Sequence, residues 1–84
     1  MQNNRLKKAQ DEADPKLRVL LQEQYKAKQY GIARQTALAL SPIDSTGFTE
    51  IYYAFMLKLG EGGPKDPEGA RVWYKKAIDK GNAF

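Results

Sequence analysis

Neither cysteine nor histidine occurs among the 84 residues of the chain. Without cysteine there is no disulfide, no thiolate nucleophile and no Cys-ligated zinc. Without histidine, the commonest general base and the commonest metal ligand are gone as well. Most hydrolytic and metal chemistry is thereby removed, and neither an enzyme nor a cofactor is expected. Long apolar runs are also missing: none approaches the roughly 18 residues that span a bilayer. The amino terminus, "MQNNRLKKAQDEAD", lacks the apolar centre of a signal peptide. The chain as written therefore reads as cytoplasmic, with a periplasmic or secreted setting as the alternative if a leader has been removed. Charge of one sign is scarce too. The net charge is +4, with eight basic and five acidic side chains over residues 1–46 and six and five over residues 47–84. A nucleic-acid footprint is more one-sided than this, so no nucleic-acid partner is expected.

A chain of this length makes one domain at most, with a core worth only about 3–5 kcal/mol unless a staple or a partner adds to it. What is present is helical spacing. Residues 1–14 are polar and read as a tail or a short lead-in helix, and residues 15–84 as one helical domain. Asp14-Pro15 is a start signal: aspartate accepts from orphan amides as N-cap, and proline at the first position loses no needed donor. Leu17, Leu20, Leu21 and Tyr25 follow at helical spacing, which predicts a first helix over about 15–29. Tyr30-Gly31 reads as the break. Ile32, Ala33, Thr36, Ala37 and Leu40 share one face of a second helix that Ser41-Pro42 stops. Ser45 or Thr46 is the expected cap of a third helix over about 47–59. That helix is apolar nearly all round, so burial on more than one side is predicted. Gly60 sits where a left-handed C-cap belongs. Asp66-Pro67 repeats the cap-plus-proline device, and helix four then places Ala70, Trp73, Ala77 and Ile78 on one face, with Gly81 as its stop.

An internal echo organises these helices. "KQYGIAR" (28–34) and "KDPEGAR" (65–71) share Lys, Ala and Arg at one offset of 37 residues. Two helix-turn-helix units follow, pair one over 15–41 and pair two over 47–81, with a period in the range of helical-pair solenoids. At residues 59–83, "LGEGGPKDPEGARVWYKKAIDKGNA" resembles the Sel-one-like repeat, a relative of the tetratricopeptide repeat. Gly60, Gly62, Asp66, Ala70, Trp73, Tyr74, Lys76, Ala77, Gly81 and Ala83 occupy positions that match the family's pattern. Tyr53-Ala54, Leu57, Gly63, Gly69 and Ile78 depart from it, all at structural positions. Residues 15–46 look like a degenerate preceding pair, in which "YGIARQTALALSP" is similar to a tetratricopeptide second helix. The resemblance implies an all-α fold, a short α/α right-handed superhelix whose first helices line a concave face. It also implies an adaptor or scaffold role, common in bacterial signalling, envelope and host-interaction settings.

Several stretches invite sharper readings. The four glycines and two prolines of Leu59 to Ala77 could cradle phosphate, but Lys65 is followed by Asp66 and no strand precedes, so a helix-to-helix turn is preferred. "DEAD" at Asp11 to Asp14 reads as a capped, solvated turn. Lys75-Lys76 beside Trp73 and Tyr74 reads as a solvated face, with Trp73 turned inward. On helix three, Phe48, Tyr52, Phe55 and Leu59 form one stripe, and Glu50, Tyr53, Ala54 and Leu57 another roughly opposite. The second stripe is assigned to packing within the repeat. The first must meet the preceding pair or a partner, and Tyr52 and Met56 lie near its edge.

These observations give a non-catalytic module that binds a protein or peptide, with Arg18, Tyr25, Tyr52 and Met56 as the expected contact residues. The alternative is a small inhibitor or immunity-type protein that occludes one target. Solenoids need about three repeats for stability, and this chain has two and ends on "GNAF", where the family would begin another helix. Either a longer array, or exposed repeat ends covered by self-association or by a partner, is therefore expected.

Overall fold

A computed structural model describes residues 16–81. The expected Asp14-Pro15 cap, the tail or lead-in over 1–14 and the terminal "NAF" lie outside the described residues. The fold is all-α, four helices in two hairpins: α1 over 16–26, α2 over Tyr30–Leu40, α3 over Phe48–Leu59 and α4 over Pro67–Asp79.

Helix α1 ends three residues earlier than its apolar spacing predicts. The Gln29 amide donates to Gln24 O at 2.9 Å and the Lys28 amide to Tyr25 O at 3.0 Å. These two bonds close a Schellman turn around a left-handed residue. That residue is Lys28, at φ +61°, and not the expected glycine. Gly31, read as the break, instead lies inside α2. Ala33, Ala37 and Leu40 form the buried stripe of α2, whereas Ile32, a third of a turn away, is exposed.

Helix α3 begins after Gly47, at φ +83°, with no side-chain bond from that position. Its amides are served from further back. The Asp44 carboxylate accepts from the backbone amides of Thr46 and Thr49, both at 2.9 Å. Thr46 Oγ1, one of the two expected caps, accepts from the Phe48 amide at 3.2 Å. The C-terminus follows expectation, with Gly60 left-handed at φ +71° and its amide bonded to Met56 O. Helix α4 starts as read: Pro67 occupies the first turn and the Asp66 carboxylate accepts from the Gly69 amide at 2.9 Å. Ala70 and Ala77 are buried, but Ile78 is 56% exposed and does not join their face.

The core has two parts that share α3. Met56 packs with Leu21 of α1 and with Ala33, Ala37 and Leu40 of α2. On the other side, Ala54 and Leu57 pack with Ala70 of α4, with Tyr53, Trp73 and Tyr74 around them. Small residues at 54 and 70 let the second hairpin close tightly, and the Tyr53 and Trp73 rings meet at 4.5 Å.

Side-chain contacts fix the directions of the helices. Arg18, early in α1, donates to Thr46 Oγ1 at 3.4 Å, just before α3 begins. Tyr25, late in α1, donates to Glu61 Oε1 at 2.7 Å, just after α3 ends. Helices α1 and α3 therefore run side by side in the same direction. Gly62, at φ +79°, lets the α3–α4 turn press against the start of α2. A Cβ there would lie 2.5 Å from the Tyr30 carbonyl carbon.

Gly62→Ala should consequently destabilise the fold by at least about 2 kcal/mol, through positive φ and backbone overlap together. Gly31→Ala, where a Cβ meets nothing within 4 Å, should stabilise it by up to about 1 kcal/mol. Urea midpoints of the two variants check the opposite signs.

Candidate functional site

Two cations tie the hairpins together. The Arg34 guanidinium of α2 reaches the turn after α3. Its Nε donates to Glu61 O at 2.6 Å, and its Nη2 to Met56 O at 2.9 Å and Pro64 O at 3.2 Å. Met56 O already accepts from the Gly60 amide, so the guanidinium adds charge-assisted bonds where partial negative charge collects at the helix C-terminus. At the other end of the molecule, Lys80 Nζ donates to Ser41 O and Asp44 O, both at 2.7 Å, and pairs with Glu50 Oε2 at 3.0 Å. The Ser41 hydroxyl donates to the same carboxylate oxygen. Glu50 is completely buried, and its second oxygen, Oε1, has no partner among the described residues.

Asp44 is the third member of this polar knot. Burial pushes its carboxyl up, but the hydroxyls and amides of Thr46 and Thr49 outweigh burial and hold it below the usual carboxylate range. The hydrogen bonds to its carboxylate come from its own loop and the first turn of α3, which makes it a structural carboxylate.

On the outer side of α1 and α3 lies a different kind of surface. Phe48, Tyr52 and Phe55 are half-buried along α3, with ring centroids 4.9 Å apart between Phe48 and Tyr52 and 6.4 Å between Tyr52 and Phe55. Tyr25 joins from α1 at 5.2 Å from Tyr52, and Tyr74 from α4 at 5.9 Å from Phe55. Tyr30 meets Tyr25 at 5.2 Å. Burial, then Glu61, pushes the Tyr25 hydroxyl well above the usual phenol range. At one end of the stripe, the Arg18 guanidinium lies 6.0 Å from the Phe48 ring centroid. A shallow cavity of about 260 Å³ opens there, lined by Arg18, Val19, Gln22 and Phe48. At the other end, Lys58, Pro67, Ala70, Arg71 and Tyr74 line a second cavity of about 270 Å³.

Of the contact residues read from the sequence, Arg18, Tyr25 and Tyr52 come together on this one face. Met56 does not. It has 0% exposure and packs between α1 and α2, so its expected edge position is corrected to the core. Edge residues were assigned at 100° per residue from the stripe alone, and the wheel cannot show that two helices of the first hairpin converge on position 56. The repeat-signature residues divide by role: Gly60, Gly62 and Gly81 hold positive φ, Asp66 caps α4, and Ala70 and Ala77 are buried. Trp73 is half-buried against Tyr53 with Lys76 Nζ 4.0 Å from its ring centroid, while Tyr74 belongs to the aromatic stripe. Sequence reasoning missed the clamps: Arg34 is read only as part of the internal echo and Glu50 only as part of a helix-three stripe, and Asp44 and Lys80 have no assigned role. A glutamate in an otherwise apolar helix was the one signal that could have found the knot.

Among the described residues, no group of three or more acidic side chains is placed to hold a metal, and no helix is long and apolar enough to cross a membrane. The fold is thus that of an all-α protein of two helical hairpins carrying an aromatic surface stripe. Compared with known proteins, the chain matches no family model, no curated protein and no solved structure. The Sel-one-like resemblance therefore stands on its residues alone.

Two predictions concern the knot. Lys80→Met leaves the Glu50 carboxylate buried without its ammonium and should destabilise by about 3 kcal/mol. Adding Glu50→Gln should recover part of that loss, because the uncompensated charge is gone; chemical denaturation of both variants measures it. Asp44, with its folded pKa depressed, contributes stability that is fully present above the unfolded value near pH 3.9. That contribution is lost as pH falls through the lower folded value. In urea unfolding followed from pH 6 to pH 2, Asp44→Asn should flatten this part of the acid limb.

Proposed function

We propose that the chain is a non-catalytic protein-interaction module that binds a protein or peptide through the outer face of α1 and α3. The observation that carries this reading is the stripe of Phe48, Tyr52 and Phe55, half-buried side by side with Tyr25 beside it. Aromatic side chains provide large contact area at low conformational-entropy loss, which is why they dominate recognition surfaces. Tight clamping of both hairpins supports the same reading, since a preorganised surface loses less entropy on association.

Four described groups have displaced titration: Tyr25, Tyr30, Asp44 and Tyr74. Tyr25 is bonded to Glu61, and Asp44 to two threonines. Both are thus engaged within the fold, whereas Tyr74 lines the second cavity.

A photo-crosslinking residue tests the assignment. Placed at Gln22, which lines the cavity beside Phe48, it should give discrete adducts in extracts of the native cell. Placed at Gln35, exposed on α2, it should give none. Equal adducts from both positions, or none from Gln22, would contradict the reading.

A further inference from the structure

We propose that the partner segment is an acidic peptide with apolar side chains between its carboxylates, lying along the α3 stripe from the Arg18 cavity to the Arg71 cavity. The inference rests on the interaction-module reading and adds the chemistry of the partner. Its basis is the layout of charge around the rings. At the Phe48 end stands the Arg18 guanidinium, whose polar contact is the neutral Thr46 hydroxyl at the long distance of 3.4 Å. At the Tyr74 end stand Lys58 and Arg71. Arg71 meets only Glu68, at 3.9 Å between two solvent-exposed side chains, a pair worth little in water. Beside the stripe, the Glu61 carboxylate accepts the Tyr25 hydroxyl.

Between these cationic ends runs a succession of ring contacts, Phe48 to Tyr52 to Phe55 to Tyr74. Phe48 and Phe55 are seven residues apart on one helix, about 10 Å along its axis, and Tyr74 extends the path towards Arg71. A ligand that satisfies both ends therefore needs negative charge at each end and apolar groups between. An acidic amphipathic peptide has that pattern.

The ring geometry disfavours the other polyanion that cations and aromatics recruit. Single-stranded nucleic acid stacks its bases on open ring faces. Along this stripe, neighbouring rings meet at interplanar angles of 46° to 81°, edges against faces. They form a wall against which aliphatic and aromatic side chains pack, with no parallel platforms.

Selection from a random-peptide display library on the immobilised 84-residue chain tests the proposal. Enriched sequences should carry Asp or Glu on both sides of a Leu, Ile or Phe cluster. The same peptides, synthesised and labelled, should bind an Arg18→Glu/Arg71→Glu variant at least tenfold more weakly. Lys58→Glu, at an exposed position, should weaken them in the same direction, with the fold of each variant checked by circular dichroism. Enrichment of uncharged or basic peptides, or binding indifferent to charge reversal, overturns the proposed chemistry and leaves the interaction module standing. Failure to enrich any peptide over a blank surface overturns both. Tighter binding of a 20-nucleotide thymidine oligomer, lost in the same double variant, overturns the peptide in favour of nucleic acid.

Discussion

Helix α3 is apolar on two faces, and neither hairpin alone can cover it. Met56 requires α1 and α2, while Ala54 and Leu57 require α4. In a chain of 84 residues with no disulfide, this shared helix is the means of joining two small cores into one. The polar clamps follow from the same constraint. Bringing the hairpins together places the C-terminal carbonyls of α3 beside α2 and those of the α2–α3 loop beside the end of α4. Arg34 supplies donors to the turn carbonyls of Glu61 and Pro64, and Lys80 to those of Ser41 and Asp44, once water is displaced. Burial of Glu50 belongs to that arrangement: its carboxylate is tolerable because an ammonium and a hydroxyl arrive from two other elements.

Much of this architecture was legible in the residues. Helix-start chemistry at Asp66-Pro67 and the glycine at position 60 depend only on local backbone needs, so both were readable without tertiary knowledge. Four helices and the two-sided burial of α3 were legible for the same reason, since periodicity reports burial directly. What stayed hidden was long-range or unusual in backbone. Lys28 occupies a left-handed position where glycine is the usual choice, so the first turn was placed two residues late, at Tyr30-Gly31. Asp44 caps α3 from four residues before its first turn, beyond the reach of the usual capping pattern. Lys80 and Glu50 are 30 residues apart, and nothing local in either says that they meet.

The candidate site shows the same division. The aromatic density of α3 announced a surface or a core, and the outcome is both: Met56 went inside while Phe48, Tyr52 and Phe55 remained half-buried. Position on the helical wheel separates these residues only once the direction of α1 is known. Parallel alignment of α1 with α3 brings Arg18 to the Phe48 end of the stripe and Tyr25 beside Tyr52, and that alignment is set by the short α1–α2 turn and the clamps.

Everything functional in this account requires the hairpins to behave as one rigid unit that holds α1 and α3 in register. Native-state hydrogen exchange measures this most directly. The slowest amides of α2, α3 and α4 should share a single opening free energy with one denaturant dependence. Exchange of the α2 amides through a separate, lower-energy opening that leaves α3 and α4 protected would contradict it.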